Sequence, residues 1–464
     1  MSGDKCGLYG IITPKSYPEF KSELNNSLVK LQHRGQESYG ISYKTLTKQV
    51  TTKRLGLVDP TYIEELSDNF CSSICHVRYS TSKNSKNQTL ERKLQETQPF
   101  QSELFTLAHN GNIPHKVQAK LIKHYNIKQK TDSDSETLLK LIEQFSKEYH
   151  TIKDALIKLV NTVEGVYNLL IQLQDGTIYA LRDRHGVRPL TIAQSHYKET
   201  LYVSSETCAF PTHASVIRDV NAGEIIKITP DIYETVYQFK TPSVQTFCSF
   251  EYIYFMRPQS SFAGLNVQDL RYRMGQYLAR TEPKPINTKA IVIGMPNTAI
   301  PVGQGFASLL GLPYEQYIEK MANCGRTFIL PDNADRLQRL RNKFLFSPKL
   351  KDAVIYLCDD SVVRGNTMRE LIQLLKTEHK VKEVHVRVSS PPVIDICHYG
   401  IDIPDKETLI GAAYSTTEEI QKSIKADSLI YLPIEAMKGM METKQSNVCT
   451  SCFTGDYDKR LLDW

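Results

Sequence analysis

The stretch Val354-Ile-Tyr-Leu-Cys-Asp-Asp-Ser-Val-Val-Arg-Gly-Asn-Thr367 limits the possible folds more than any other part of the chain. An apolar run ends in two adjacent acids, and a short polar turn with Arg364 and Gly365 follows. That order predicts a buried parallel strand, a carboxylate pair at its C-terminal end, and a turn that opens a helix. Backbone N–H groups at such a helix N-terminus can cradle a phosphate, and the acids can hold ribose hydroxyls or a metal. The plainer alternative is a strand end whose acids cap the next helix; Ser361, Arg364, Gly365 and Thr367 weigh against it. Two further apolar runs, Ala290–Gly294 and Val384–Val388, alternate with helical patterns near Val302–Leu310 and Thr367–Lys376. Strand–helix alternation predicts βαβ units and a parallel sheet.

The first half is patterned differently. Leu104–His109, Tyr167–Leu173 and Thr177–Arg182 read as strands, with Gln174-Asp-Gly176 as a hairpin turn. Phe20–Leu31 and Glu136–Tyr149 read as helices. Strands and helices in separate runs predict an α+β layered domain. A chain of 464 residues is too long for one ordinary core. The expected division is a segment 1–5, a first domain 6–245 and a second domain 246–464. Lys83–Gln98 is polar and lysine-containing, and is expected to be an exposed loop. The net charge of +6 is small for this length; no basic cluster or aromatic platform supports a nucleic-acid partner. No apolar run approaches the ~18 residues of a membrane span. The start, Met1-Ser-Gly-Asp-Lys5, lacks the apolar segment of a secretory signal. A cytoplasmic location without a membrane partner is therefore expected, and there the ten cysteines are thiols rather than disulfides.

Cys6 opens the apolar segment Cys6-Gly-Leu-Tyr-Gly10. Removal of residues 1–5 would set its own α-amine beside the thiol, and an amine with a reference pKa of about 8 can act as a local base. Taken alone, a buried cysteine at a strand start is the commoner outcome. Leu31-Gln-His-Arg-Gly-Gln-Glu37 with Gly40, His76-Val-Arg-Tyr-Ser-Thr81, Gln98-Pro-Phe100, His109-Asn-Gly-Asn112 and Ser133-Asp-Ser-Glu136 then follow in order. The Asn110 side chain and the Gly111 N–H can give two donors to a tetrahedral oxyanion. Arg78 offers a bidentate cation to an α-carboxylate, and Asp134 a carboxylate to an α-ammonium. Singly, these residues read as a turn, a surface charge or a helix cap. Together, in order and spacing, they resemble the class II glutamine amidotransferases. That resemblance implies an N-terminal nucleophile (Ntn) hydrolase fold with four αββα layers. It also implies Cys6, Asn110 and Gly111 as catalytic residues and Arg34, Arg78 and Asp134 as glutamine-binding residues.

Asp359–Thr367 in turn resembles the signature of the type I phosphoribosyltransferases, an α/β fold with a parallel sheet. Joined, the two halves resemble the glutamine phosphoribosylpyrophosphate amidotransferases, from Cys6 nearly to the end. Arg182–Leu190, Ser204–Glu206, Phe250–Pro258, Gly325–Pro331 and Ser389–Pro392 also match, mostly as expected strand, hinge and interface segments. The resemblance implies hydrolysis of glutamine and transfer of the ammonia to C1 of phosphoribosyl pyrophosphate (PRPP). The products would be 5-phosphoribosylamine, glutamate and pyrophosphate, in the first step of purine synthesis. It implies Mg2+ at Asp359 and Asp360. PRPP contacts would come from Lys320, Arg326, Asp359, Asp360, Ser361, Val363, Arg364, Gly365, Asn366 and Thr367. An ammonia path and a homotetramer inhibited by purine nucleotides are implied as well.

Cys449-Thr-Ser-Cys452 is a C-x-x-C, open to a metal, a redox pair or two ordinary thiols. With Cys248 and Cys397 it resembles the iron–sulfur branch of the family, which implies a 4Fe-4S cluster on four thiolates. Structural zinc is the alternative. That branch carries a pro-segment before its nucleophile, in line with residues 1–5. Cys71, Cys75, Cys208, Cys324 and Cys358 are expected to be buried thiols. The chain also departs from the family. The closing loop reads Lys320-Met-Ala-Asn-Cys-Gly-Arg-Thr-Phe328, with Ala322 and Asn323 where the family has Arg and Tyr. Asn297, in Met295-Pro-Asn-Thr298, replaces a carboxylate, and the turn after His76-Val-Arg-Tyr79 lacks its usual Gly. Two readings stay open. One is an active enzyme with a modified closing loop. The other is a divergent paralogue, a glutaminase with an impaired or retargeted transferase domain in a regulatory or sensor role. The intact Asp359–Thr367 segment favours the first.

Overall fold

The computed structural model describes residues 6–45, 47–67, 70–79, 89–197, 199–240, 245–283, 287–321, 336–401, 403, 405–443 and 446–457. The first half is two antiparallel sheets packed face to face. In the seven-stranded sheet, Gly7–Ile12 lies between Leu201–Ser204 and Phe70–Arg78. In the six-stranded sheet, Phe105–Asn112 pairs with Val166–Leu173, which pairs with Ile178–Arg182.

Alternation along each strand builds the layers. Leu8 and Ile12 point between the sheets, where they meet Ala108, Leu170, Ile178 and Ala180. Tyr9 and Ile11 point outward, under the helix Phe20–Leu31. On the other sheet Leu169 and Ile171 face outward against Asp134–Tyr149 and Ile152–Thr162. The result is the expected four-layer αββα arrangement.

The second half is a four-stranded parallel sheet in the order Ile291–Gly294, Val354–Asp359, Glu383–Val388, Ser428–Tyr431. Helices Val267–Arg280, Ile300–Leu310 and Asn366–Thr377 contribute to its core. A separate parallel pair, Gln245–Cys248 with Ser446–Cys449, links the start of this half to its end. The short helical turn Glu251–Phe255 follows. Thr246 N–H and Cys248 N–H donate to the carbonyls of His185 and Val187, at 2.9 and 3.0 Å, and so tie the crossing segment to the first domain.

Two expectations need correcting. Lys83–Gln98 is not simply an exposed loop: its described part contains the helix Leu90–Gln95, capped by Thr89, and Glu96, Thr97 and Gln98 are buried. Glu96 goes inside because Arg78 is there to pair with it, at 2.8 Å. Among the five cysteines without a family role, Cys75 and Cys358 are buried, but Cys71 and Cys208 are half-buried. Cys324 lies outside the described residues.

Helices Val267–Arg280 and Ile300–Leu310 approach unusually closely at two glycines. A Cβ on Gly275 would lie 1.9 Å from Val302 O, and one on Gly305 would lie 2.0 Å from Tyr272 O. The obstacles are backbone, so no rotamer change relieves them. Gly275→Ala is expected to destabilise the fold by about 1–3 kcal/mol through overpacking, read as a lowered midpoint in denaturant unfolding. A midpoint equal to the parent's would show that the two helices can separate without cost.

Candidate active site

Cys6 is buried at the head of the strand Gly7–Ile12. Its carbonyl accepts a hydrogen bond from Arg34 Nε at 3.0 Å. Arg34 is itself buried, and its guanidinium is engaged on every side. Nη1 donates to Glu206 at 2.6 Å and to Glu251 at 2.9 Å, and Nη2 donates to Glu251 at 2.8 Å. Arg188 Nη1 also donates to Glu251, at 3.0 Å, and Arg188 Nη2 donates to Gly400 O at 2.7 Å. Burial alone would raise the pKa of both acids. For Glu206, His33 and Arg34 outweigh it; for Glu251, Arg34 and Arg188 do, so both stay below the ordinary carboxylate value.

The sequence motifs converge near Cys6. Leu8 N–H donates to Ser205 Oγ at 3.0 Å, and Asn110 Nδ2 lies 3.5 Å from the same oxygen. Ser205 thereby links the strand Gly7–Ile12 to Asn110, whose Oδ1 is buried with no hydrogen-bond partner among the described residues. Gly111 must be glycine, since a Cβ there would lie 2.0 Å from Val166 O. Asp134, the first residue of its helix, accepts from Ile113 N–H at 2.9 Å. Arg78 ends its strand with Nη2 on Glu96 and a buried Nη1 that has no hydrogen-bond partner among the described residues. Burial, with Arg78 beside it, pushes His76 down to about 3 and Lys53 to about 8. His76 is therefore neutral, and its Nε2 lies 3.1 Å from His109 O.

The second constellation surrounds a cavity of about 450 Å3. Asp359, Asp360, Ser361, Val363, Arg364, Gly365 and Thr367 line it, with Met295, Phe250, Tyr254, Phe255, Ile401 and Ile403. Burial and the neighbouring Asp360 raise the pKa of Asp359, as expected for adjacent carboxylates out of water. Asp359 Oδ1 accepts from Asp360 N–H at 2.9 Å, and Asp360 Oδ1 accepts from Ser361 Oγ at 2.6 Å. Gly365 is the N-cap of Asn366–Thr377 with φ +74° and no side-chain cap, which leaves the first helical N–H groups open to an anion. Asn366 begins that helix, while Asn297 is exposed beside Met295. Lys320 ends a strand paired with Phe344–Phe346. Arg326, with Ala322, Asn323 and Cys324, lies outside the described residues.

Four thiols meet between the two sites. Cys248 and Cys449 are register partners in the parallel pair, and Cys452 follows on Ser451–Thr454. Burial raises the pKa of Cys397 to about 11, with Cys449 adding to it, and burial raises Cys452, with Cys397, Cys449 and Cys248 adding to it. Tyr399 and Ile401 N–H donate to Cys397 Sγ at 3.3 and 3.4 Å. Among the described residues, no three His, Cys, Asp or Glu side chains are set to hold a single metal ion.

Sequence reasoning missed Glu206, Glu251, Arg188 and Ser205 as parts of a site, and Lys343, a cation in the field of Lys320, Asp359 and Asp360. Local signals existed for four of them: Glu251 is an acid inside the aromatic run Phe250-Glu-Tyr-Ile-Tyr-Phe255, while Arg188, Ser205 and Glu206 lie in matching segments expected to be structural.

The comparisons with known proteins agree with this geometry. A family model described as a glutamine amidotransferase domain matches residues 87–212. The amidophosphoribosyltransferase of Pyrococcus horikoshii is 35% identical over 99% of this chain and 98% of its own length. That of Methanothermobacter thermautotrophicus is 34% identical over 99% and 95%. Among solved structures, glutamine phosphoribosylpyrophosphate amidotransferase from Bacillus subtilis, complexed with ADP and GMP, superposes with a TM-score of 0.85 at 32% identity, covering 97% of both chains. A structure described as the allosteric regulatory enzyme of purine biosynthesis also gives 0.85, covering 97% of this chain and 96% of that one.

The ion network sets a pH dependence. Glu206 and Glu251 ionise more readily folded than unfolded, so their stabilisation is complete above the ordinary value of 4.5 and is lost as pH falls below it. Melting temperature is expected to fall on acidification through that range. Arg34→Met at neutral pH removes the cation shared by two buried carboxylates, leaving Glu251 to Arg188 and Glu206 to His33, and is expected to cost about 3–5 kcal/mol in denaturant unfolding. An unfolding midpoint equal to the parent's would contradict this.

Proposed function

Because the chain belongs to the amidophosphoribosyltransferases, we propose that it hydrolyses glutamine at Cys6 and adds the ammonia to C1 of PRPP at the Asp359–Thr367 cavity. The products are glutamate, 5-phosphoribosylamine and pyrophosphate, at the entry to purine synthesis. One observation carries the reading: the turn Glu251–Phe255 holds Arg34 beside Cys6 with its first residue and walls the acid-pair cavity with its last two.

In this reading residues 1–5 are removed, and the new α-amine of Cys6 takes the thiol proton. The Asn110 amide and the Gly111 N–H receive the oxyanion. Arg78 holds the glutamine α-carboxylate through the donor left over from Glu96, and Asp134 holds the α-ammonium. Arg34 acts through the Cys6 carbonyl, by fixing the nucleophile's backbone. The domains run 6–245 and 246–464.

At the second site, Ser361, Val363, Arg364, Gly365, Asn366 and Thr367 cradle the 5-phosphate, and Lys320 and Arg326 approach the pyrophosphate. Asp359 and Asp360 fit Mg2+, which commonly takes one or two carboxylates plus substrate phosphates and would neutralise the leaving pyrophosphate. Cys248, Cys397, Cys449 and Cys452 would supply the four thiolates that a 4Fe-4S cluster takes, with a structural zinc ion on the same thiolates as the alternative. A homotetramer with purine nucleotide inhibition completes the reading; the solved B. subtilis relative is a complex with ADP and GMP. A cytoplasmic location belongs to the same reading; no helix among the described residues is long and apolar enough to cross a membrane.

Mature protein is expected to release pyrophosphate from PRPP with either glutamine or ammonia. Cys6→Ser should lose the glutamine-driven rate by about 10^3-fold or more while keeping the ammonia-driven one. Glutamate without pyrophosphate, even with ammonia supplied, would defeat the transferase reading. Mass spectrometry of active protein should find Cys6 first; Met1 or Ser2 in that place would exclude the amine mechanism. The purified protein should be brown and contain about four irons per chain; a colourless zinc protein would remove the cluster.

A further inference from the structure

Arg271 is a buried cation that the chemistry above does not use. It sits on the helix Val267–Arg280 and is 1% exposed. Nε donates to Tyr252 O at 2.8 Å and Nη2 donates to Met256 O at 2.9 Å. The guanidinium therefore clasps the turn Glu251–Phe255 from both ends. Its remaining nitrogen, Nη1, is buried with no hydrogen-bond partner among the described residues. A buried guanidinium N–H without an acceptor is costly and uncommon, and calls for a ligand. The ionised groups that bear on Arg271 are Asp360, on the transferase side, and Glu206, on the glutaminase side. Burial lowers its pKa only to about 10, so it stays charged at neutral pH. The turn it clasps reaches Arg34 through Glu251 and the cavity wall through Tyr254 and Phe255. Arg271 thus stands between the two sites.

We propose that Arg271 selects neutral ammonia on its way from the glutamine site to the acid pair, its Nη1–H donating to the ammonia lone pair while its charge repels ammonium. This rests on the amidophosphoribosyltransferase reading. Ammonium has no lone pair and cannot accept that hydrogen bond, so the donor and the charge favour the same species. That species is also the only one able to attack C1. Without a fixed cation, Glu206 and Asp360 would draw ammonium into the buried space and hold it there as a counterion.

The test uses full-length mature protein with saturating glutamine and PRPP, and measures glutamate and pyrophosphate in the same sample. In Arg271→Gln the charge is gone, and glutamate formed per pyrophosphate should rise about fivefold, the worth of one hydrogen bond. Arg271→Met, neutral and apolar, serves if the Gln chain does not fold. Arg271→Lys keeps a charged donor, and its ratio should stay within about twofold of the parent's. A merely structural arginine would lower both products together and leave the ratio unmoved. An unchanged ratio in the neutral variant, or an equal rise in Arg271→Lys, overturns the proposal. Failure of the parent to release pyrophosphate with ammonium chloride as nitrogen source defeats the underlying reading instead, and is a separate result.

Discussion

The ion cluster of Arg34 with Glu206 and Glu251 is the constraint on which both halves of the molecule depend. A guanidinium and two carboxylates out of water are stable only when each is satisfied by the others. Satisfying them fixes six pieces of chain at once. Arg34 holds the Cys6 carbonyl, Glu206 also accepts from Arg257 N–H and Ser260 Oγ, and Glu251 accepts from Arg188, which reaches Gly400 O. Hydrophobic residues of similar volume could fill such a space at comparable stability. They would not specify which strand, turn and loop must meet there.

From that cluster the transferase cavity inherits part of its shape. Its floor is local, made by one strand, two acids and one helix N-terminus. Its wall is not: Tyr254 and Phe255 come from the turn that Glu251 begins, Phe250 caps that turn, and Ile401 and Ile403 come from the segment that Gly400 begins. Cys397 lies just before that segment and Cys248 just before that turn, so the thiol cluster braces the same wall from behind. Cys6, the four thiols and the Asp359–Thr367 turn are thus parts of one mechanical unit.

The floor was legible in the sequence and the wall was not. Strand alternation and the Asp359–Thr367 order depend on neighbours within a few residues, so spacing alone placed them. The layered first domain followed from the same period: Leu8 and Leu170 face inward and Tyr9 and Leu169 outward, as alternation requires. Glu206 and Glu251 lie 172 and 217 residues from Arg34, and no local pattern announces such partners. Arg78 illustrates the same limit. Its expected role needs a donor without a hydrogen bond; Glu96, inside a polar insert that composition assigned to solvent, takes Nη2, and Nη1 keeps only the ion pair with Glu37 at 3.9 Å.

The parallel pair Gln245–Cys248 with Ser446–Cys449 has a consequence for how the molecule is made. Its two strands sit about as far apart in sequence as Ser249 and Cys449, a separation of 200 residues. On a ribosome the layered first domain can close over its own core while the later strand is still unsynthesised. The crossing segment then waits, with half its backbone groups unpaired, until the last part of the second domain emerges. The two halves are therefore built in sequence and connected last, so an incompletely synthesised chain would hold a closed first domain without the strand that completes its link to the second.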